Sequence, residues 1–159
     1  LGERTDRKGD GRVRLVSLSV DSGVDAAPVR CSDALRIRIG YTSAHQLRKA
    51  SFLIGIYDQF SQPLFFMDSR TAGWLPESLP ASGVVTCITS PINITPGLCT
   101  VNIACMVGGM LADHVKHALR FDIEADDFYG TGKLPERQSS LCLLKQNWQA
   151  TTCSSKVFR

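Results

Sequence analysis

Ser51-Phe52-Leu53-Ile54-Gly55-Ile56-Tyr57-Asp58 is the stretch on which the fold turns. Phe52, Ile54 and Ile56 fall on one side of it, and Leu53, Gly55 and Tyr57 on the other. A period of two, filled with β-branched and aromatic residues, is the mark of a strand. Phe60-Ser61-Gln62-Pro63 then reads as a turn, and QPLFFMD (62–68) as a short strand after it.

The same period extends outward in both directions. Upstream, RVRLVSLSV (12–20) alternates with one phase slip near Val16, which predicts a bulge. ALRIRIGYT (34–42) sets Leu35, Ile37, Ile39 and Tyr41 against Arg36 and Arg38. Downstream, GVVTCITSPINI (83–94) and LCTVNIACMV (98–107) are split by Pro96-Gly97, a turn signal. In the second run Cys99, Val101, Ile103 and Cys105 share a face, leaving Thr100, Asn102 and Ala104 opposite. VKHALRFDIEA (115–125) alternates through His117, Leu119, Phe121 and Ile123. Only Ser43–Ala50 has room for a helical turn.

Seven strands and no helices predict an all-β fold, an immunoglobulin-like antiparallel β-sandwich. The first, second and fifth strands are expected in one sheet, and the third, fourth, sixth and seventh in the other. No parallel crossover is expected. An eighth strand-like run, SSLCLLKQNW (139–148), follows the glycine-rich tether Asp127-Phe128-Tyr129-Gly130-Thr131-Gly132-Lys133. The domain is therefore read over 12–149, with 150–159 as a tail. Residues 1–11, polar and glycine-rich, read as a linker or a frayed start.

Composition bounds the function. A chain of 159 residues forms one domain with a real core. Its net charge of +3 is mild, so ordinary solubility accounts for it and no nucleic-acid partner is expected. No apolar run approaches the ~18 residues of a membrane helix, and none reads as a signal peptide. Cys31, Cys87, Cys99, Cys105, Cys142 and Cys153 contain no C-x-x-C pair, so they are expected as free thiols in a reducing compartment, not as a zinc site.

Catalytic signatures are weak. GTGK (130–133) lacks the remaining residues of a phosphate loop, because Asp127 and Leu134 stand where Gly and Ser/Thr are needed. His114 and His117, three apart in a strand, point to opposite sides. Asn93-Ile94-Thr95 matches a glycosylation sequon, read as chance. Asp58, Asp113, Asp126 and Asp127 offer carboxylates without a spacing that selects a pair. No catalytic residue, cofactor or metal is therefore expected. A binding face is. A pyranose has one apolar side and an edge of hydroxyls, which suits aromatic rings beside planar polar groups. The outward face of the second sheet carries Tyr57, Thr100, Asn102 and Arg120, and Trp74 in TAGWLPESLP (71–80) is placed to fold over its edge. The alternative from residue types alone is that Tyr57 packs on a partner chain and Trp74 covers a sandwich end.

The succession FLIGIYDQFSQPLF (52–65), INITPGLCTVNIAC (92–105), ADHVKHALRFDI (112–123), DDFYGTG (126–132) and a closing strand ending in Trp148 resembles one family. It is the C-terminal carbohydrate-binding domain of the ATP-binding subunit of O-antigen polysaccharide ABC transporters, the Wzt type. The resemblance covers about residues 12–149. Leu98-Cys99 departs from it, since an aromatic usually follows the PG turn, and the ATPase activity of such a subunit is expected in a separate domain.

The resemblance implies a non-catalytic gatekeeper on the cytoplasmic side of the inner membrane. It would bind the non-reducing end, often capped, of lipid-linked O-polysaccharide and couple it to export. The implied partners are that glycan, the ATPase domain, the membrane subunit and a second copy of the chain. In such a homodimer the last strand would be exchanged, with Leu141, Leu143 and Leu144 crossing over. The family's ligand contacts vary with the sugar, so the candidate residues rest on the face argument alone. Arg36 and Arg38 on the first sheet are the alternative, as holders of a phosphate cap. The other readings are a protein-interaction sandwich that ignores glycans, and a glycan hydrolase using Asp58 and Asp113.

Overall fold

The protein is described by a computed structural model covering residues 1–24 and 27–151; Cys153 and nearly all of the expected 150–159 tail lie outside the described residues. Eleven strands are present among the described residues: β1 (Arg7–Lys8), β2 (Val13–Asp21), β3 (Val29–Arg30), β4 (Ala34–Ser43), β5 (Leu47–Arg48), β6 (Ala50–Asp58), β7 (Pro63–Asp68), β8 (Ser78–Leu79), β9 (Ser82–Pro91), β10 (Gly97–Val107) and β11 (Met110–Glu124). There is no helix among the described residues.

The larger sheet runs β1-β11-β10-β6-β7, with β3 also on β11, and the smaller runs β2-β4-β9. The seven expected strands are β2, β4, β6, β7, β9, β10 and β11, divided between the sheets as the immunoglobulin-like reading expects. Leu15, Ile37 and Ile39 from the smaller sheet meet Ile54, Ile56, Val101, Ile103 and Val115 from the larger, each at most 3% exposed. Burying each such side chain stabilises the fold by roughly 1.5–3 kcal/mol. The phase slip is a register shift between Leu15 and Ser17 that turns Val16 outward.

The structure corrects the sequence reading at five places. Ser43–Ala50 forms no helical turn; β4 runs through Ser43, and Leu47–Arg48 pairs with Ser78–Leu79. One parallel pair exists, Val29–Arg30 on Ile123–Glu124. β11 starts five residues before Val115, because Gly108 and Gly109, both at positive φ (57° and 83°), close a tight hairpin from β10. A two-glycine loop fits that left-handed backbone without Cβ strain. His117 does not continue the inward alternation. It sits exposed, with φ 49°, in a bulge of β11. Finally, the polar opening stretch is no frayed end. Arg7 and Lys8 pair with Val115 and His114, Leu1 packs on the core, and the Arg7 guanidinium donates to buried Asp113 at 2.5 Å.

The run after the tether docks on its own chain. Thr95 N–H donates to the Leu141 carbonyl (2.9 Å) and Leu143 N–H to the Asn93 carbonyl (2.7 Å), around an Ile94–Cys142 bridge. Leu143 is buried, whereas Leu144 and Trp148 are 76% and 88% exposed. The tether is a turn: Asp127 Oδ1 accepts from Gly132 N–H, with Gly130 and Gly132 at positive φ.

Candidate functional site

The outward face of the larger sheet is built from cross-strand rows. Directly opposed residues of antiparallel strands share a face. Tyr57 on β6 opposes Thr100 on β10, which opposes Arg120 on β11. One row along, Phe66 on β7, Gly55 and Asn102 stand side by side. In the next row Leu53, Ala104 and His114 follow.

Gly55 shapes this face. A Cβ there would lie 2.8 Å from Tyr57 Cε2 and 3.0 Å from its hydroxyl, so the ring leans across the glycine. Only a residue without a side chain leaves that space. The result is a hollow of about 270 Å³ whose walls include Tyr57 and Phe66, with Asn102 and His114 as its polar groups and Leu53 and Met106 on its floor. Phe66 is 68% exposed. No Asp, Glu, Lys or Arg lines the hollow. The pKa of His114 is lowered, first by burial and then by Lys116 and Lys8, so its imidazole is neutral at pH 7.

Of the candidates, Tyr57 and Asn102 line this hollow. Thr100 and Arg120 share the face but stand outside the lining, Thr100 nearly buried and Arg120 exposed. Trp74 is elsewhere. Its ring tilts over Phe52 at 6.4 Å and borders a second hollow of about 630 Å³. That hollow opens where β7 and β9, edge strands of different sheets, diverge; Met67, Cys87 and Ile88 also line it. Phe66 borders both hollows. The sequence reading missed Gly55, Phe66 and His114. The Phe65-Phe66 doublet carried a signal, since one ring of such a pair must face out of a strand. His114 was weighed in the strand only as half of a metal pair with His117, and not as part of the face.

The other polar groups are occupied. Arg36 and Arg38 both reach Asp21, at 2.8 and 3.2 Å, within the smaller sheet's own face, and Arg14 on β2 donates to the Gly2 and Arg4 carbonyls. Asp58 Oδ1 accepts from the N–H groups of Phe60 and Gln62, closing the β6–β7 turn. Asp113 Oδ2 holds Arg7 and the Leu15 N–H. The two carboxylates pair with Cys99 and Cys105, six residues apart along β10, hence roughly 20 Å from each other. A glycosidase pair needs roughly 5–10 Å. Asp58 and Asp113 are not such a pair. Cys31, Cys99 and Cys105 are buried thiols, Cys87 is half-buried and Cys142 exposed. Burial, with Asp113 and Asp10 adding, raises the Cys105 thiol to about 12.

A crystal structure described as the C-terminal domain of Wzt superposes on this chain with a TM-score of 0.72. It is 14% identical and covers 94% of this chain and 92% of that one, a likeness of fold. No curated protein matches the sequence. The sequence model of the Wzt C-terminal domain matches residues 4–134, most of the chain, beginning within the arm that β1 ties to the body. The chain belongs to the Wzt C-terminal domain family.

Proposed function

We propose that this domain is a non-catalytic reader of glycan ends. The hollow over Gly55 holds the non-reducing terminus of a lipid-linked O-antigen polysaccharide, and occupancy is passed to the export machinery. The observation that carries this reading is the hollow itself: two aromatic rings, a primary amide and a neutral imidazole around an uncharged floor. Tyr57 and Phe66 offer rings to the apolar side of a pyranose. Asn102 and His114 meet its hydroxyls. Thr100 and Arg120 extend the polar row beyond the hollow, where Arg120 makes no ion pair among the described residues. Arg120 would contact the next sugar or an anionic cap. Trp74 serves the second hollow.

The partners follow from the family. An upstream ATPase domain would attach through the arm that carries β1, and a membrane subunit would complete the transporter at the cytoplasmic face of the inner membrane. A second copy would accept the closing run in exchange. Exposed Leu144 and Trp148 support that exchange, since an apolar pair left in water on a docked segment has surface to cover.

Calorimetric titration with the source organism's O-polysaccharide, capped and with the cap removed, tests the reading. Binding to the capped form alone identifies a terminus reader. Equal binding to both removes the cap from the proposal. Binding to neither leaves the protein-interaction reading, which the uncharged free edge of β9, with Val84 and Ile88 exposed, favours.

A further inference from the structure

Two hydrogen bonds through one residue join the hollow to the N-terminal arm. Opposite Asn102, β11 carries surplus residues: Val101 pairs with Leu119 and Ile103 with Val115, so residues 116–118 face a single position of β10. His117, in the middle, holds φ 49°, which a residue with a Cβ keeps only when its surroundings impose it. They do so from both sides. The His117 N–H donates to Asn102 Oδ1 at 2.7 Å, and Arg4 Nη1 donates to the His117 carbonyl at 3.0 Å. Arg4 is itself braced by a bidentate pair with Asp6.

A backbone N–H can only donate, so the atom it meets must be the amide oxygen. That fixes which way Asn102 points. Its NH2 has no protein partner among the described residues, and Asn102 lines the hollow. We propose that the bulge makes Asn102 a dedicated donor, its NH2 recognising a hydroxyl or ring-oxygen lone pair of the bound sugar, and that Arg4 is the positioning residue that holds the bulge. This rests on the hollow being the glycan site. It goes beyond that reading by assigning the polarity of one contact and by linking the arm to the floor of the hollow. Because linkage is reciprocal, a glycan that engages Asn102 also steadies the Arg4 contact.

The test uses the whole chain and three variants, Asn102→Asp, Asn102→Ala and Arg4→Ala. One readout is hydrogen exchange at the His117 amide, which needs no ligand; the other is the titration with capped O-polysaccharide. In Asn102→Asp the carboxylate still accepts from His117, so protection stays within about threefold of wild type while glycan affinity falls at least about tenfold. In Asn102→Ala both are lost. In Arg4→Ala exchange at His117 speeds up by about tenfold and affinity drops severalfold, with the thermal midpoint unchanged. Unchanged His117 exchange in either Asn102→Ala or Arg4→Ala overturns the relay. Wild-type affinity in Asn102→Asp overturns the donor role. A wild-type chain that binds no glycan removes the proposed function and the donor role with it, and the exchange measurements still decide the relay.

Discussion

The two sheets of this sandwich show water two faces made by the same rule and used differently. On the smaller sheet, strand alternation sends Arg36, Arg38 and Asp21 outward, and the two arginines share the one carboxylate. On the larger, alternation sends out Tyr57, Gly55, Phe66 and Asn102, which leave a concavity where the Asn102 oxygen is taken by His117 N–H and its NH2 has no protein partner among the described residues. Both faces are polar by sequence. The difference is that one satisfies itself, whereas the other has donors and rings to spare. An outward polar residue becomes a site when its neighbours leave it unfinished.

The strongest way to break the contrast is to undo the joint between the sheets. Asp113, on β11, accepts from Leu15 N–H on β2 and from Arg7. Asp113→Ala leaves a largely buried guanidinium without its counter-charge and the buried Leu15 N–H without its acceptor, and urea denaturation is expected to show about 3–5 kcal/mol of lost stability. Next in size is filling the larger sheet's hollow. Gly55→Leu drives the Tyr57 ring from its place, and Tyr57→Ala removes it. Each is expected to weaken glycan binding at least tenfold, about 1.4 kcal/mol, by calorimetry. Arg38→Ala, on the other face, is expected to leave binding unchanged.

Smaller still is Asp21→Ala, which removes the carboxylate that Arg36 and Arg38 share. About 0.5–1 kcal/mol of stability should be lost, with no change in binding; a binding defect would mean that both faces touch glycan. The smallest effect is in pH. Folding lowers the His114 pKa, so below the ordinary value near 6.5 the unfolded chain binds the extra proton and stability falls as pH falls. His114→Gln should flatten that slope between about pH 6.5 and 5 in thermal melts, and Arg36→Ala should not.

Periodicity carried the fold. Alternation in 12–20, 34–42, 51–58 and 98–107 predicted the strands, because a sandwich buries one side of each strand and the pattern is local, and the immunoglobulin-like order of the seven supplied their division between sheets. What escaped was nonlocal or set by turns. Arg7 looks like linker charge until Asp113 is placed beside it. The Gly108-Gly109 hairpin carries β11 back to Met110 and so sets His114 well inside the sheet, opposite Ala104. His117 broke its alternation because Asn102, on another strand, takes its N–H. The candidate site was legible as a face, in Tyr57 and Asn102. Its walls were not, because Phe66 and Gly55 become neighbours only through the β6–β7 register. Trp74 was misplaced for a related reason: the sequence does not show that the sheets diverge at β7 and β9.

The Asp113 joint also has a history during synthesis. Its partner N–H belongs to Leu15, 98 residues earlier in the chain. At roughly 5–20 residues per second, a ribosome delivers Asp113 about 5–20 s after Leu15. Through that interval β2 has emerged with its apolar side uncovered and β1 has no strand to join. The smaller sheet cannot be sealed until nearly three-quarters of the described chain exists.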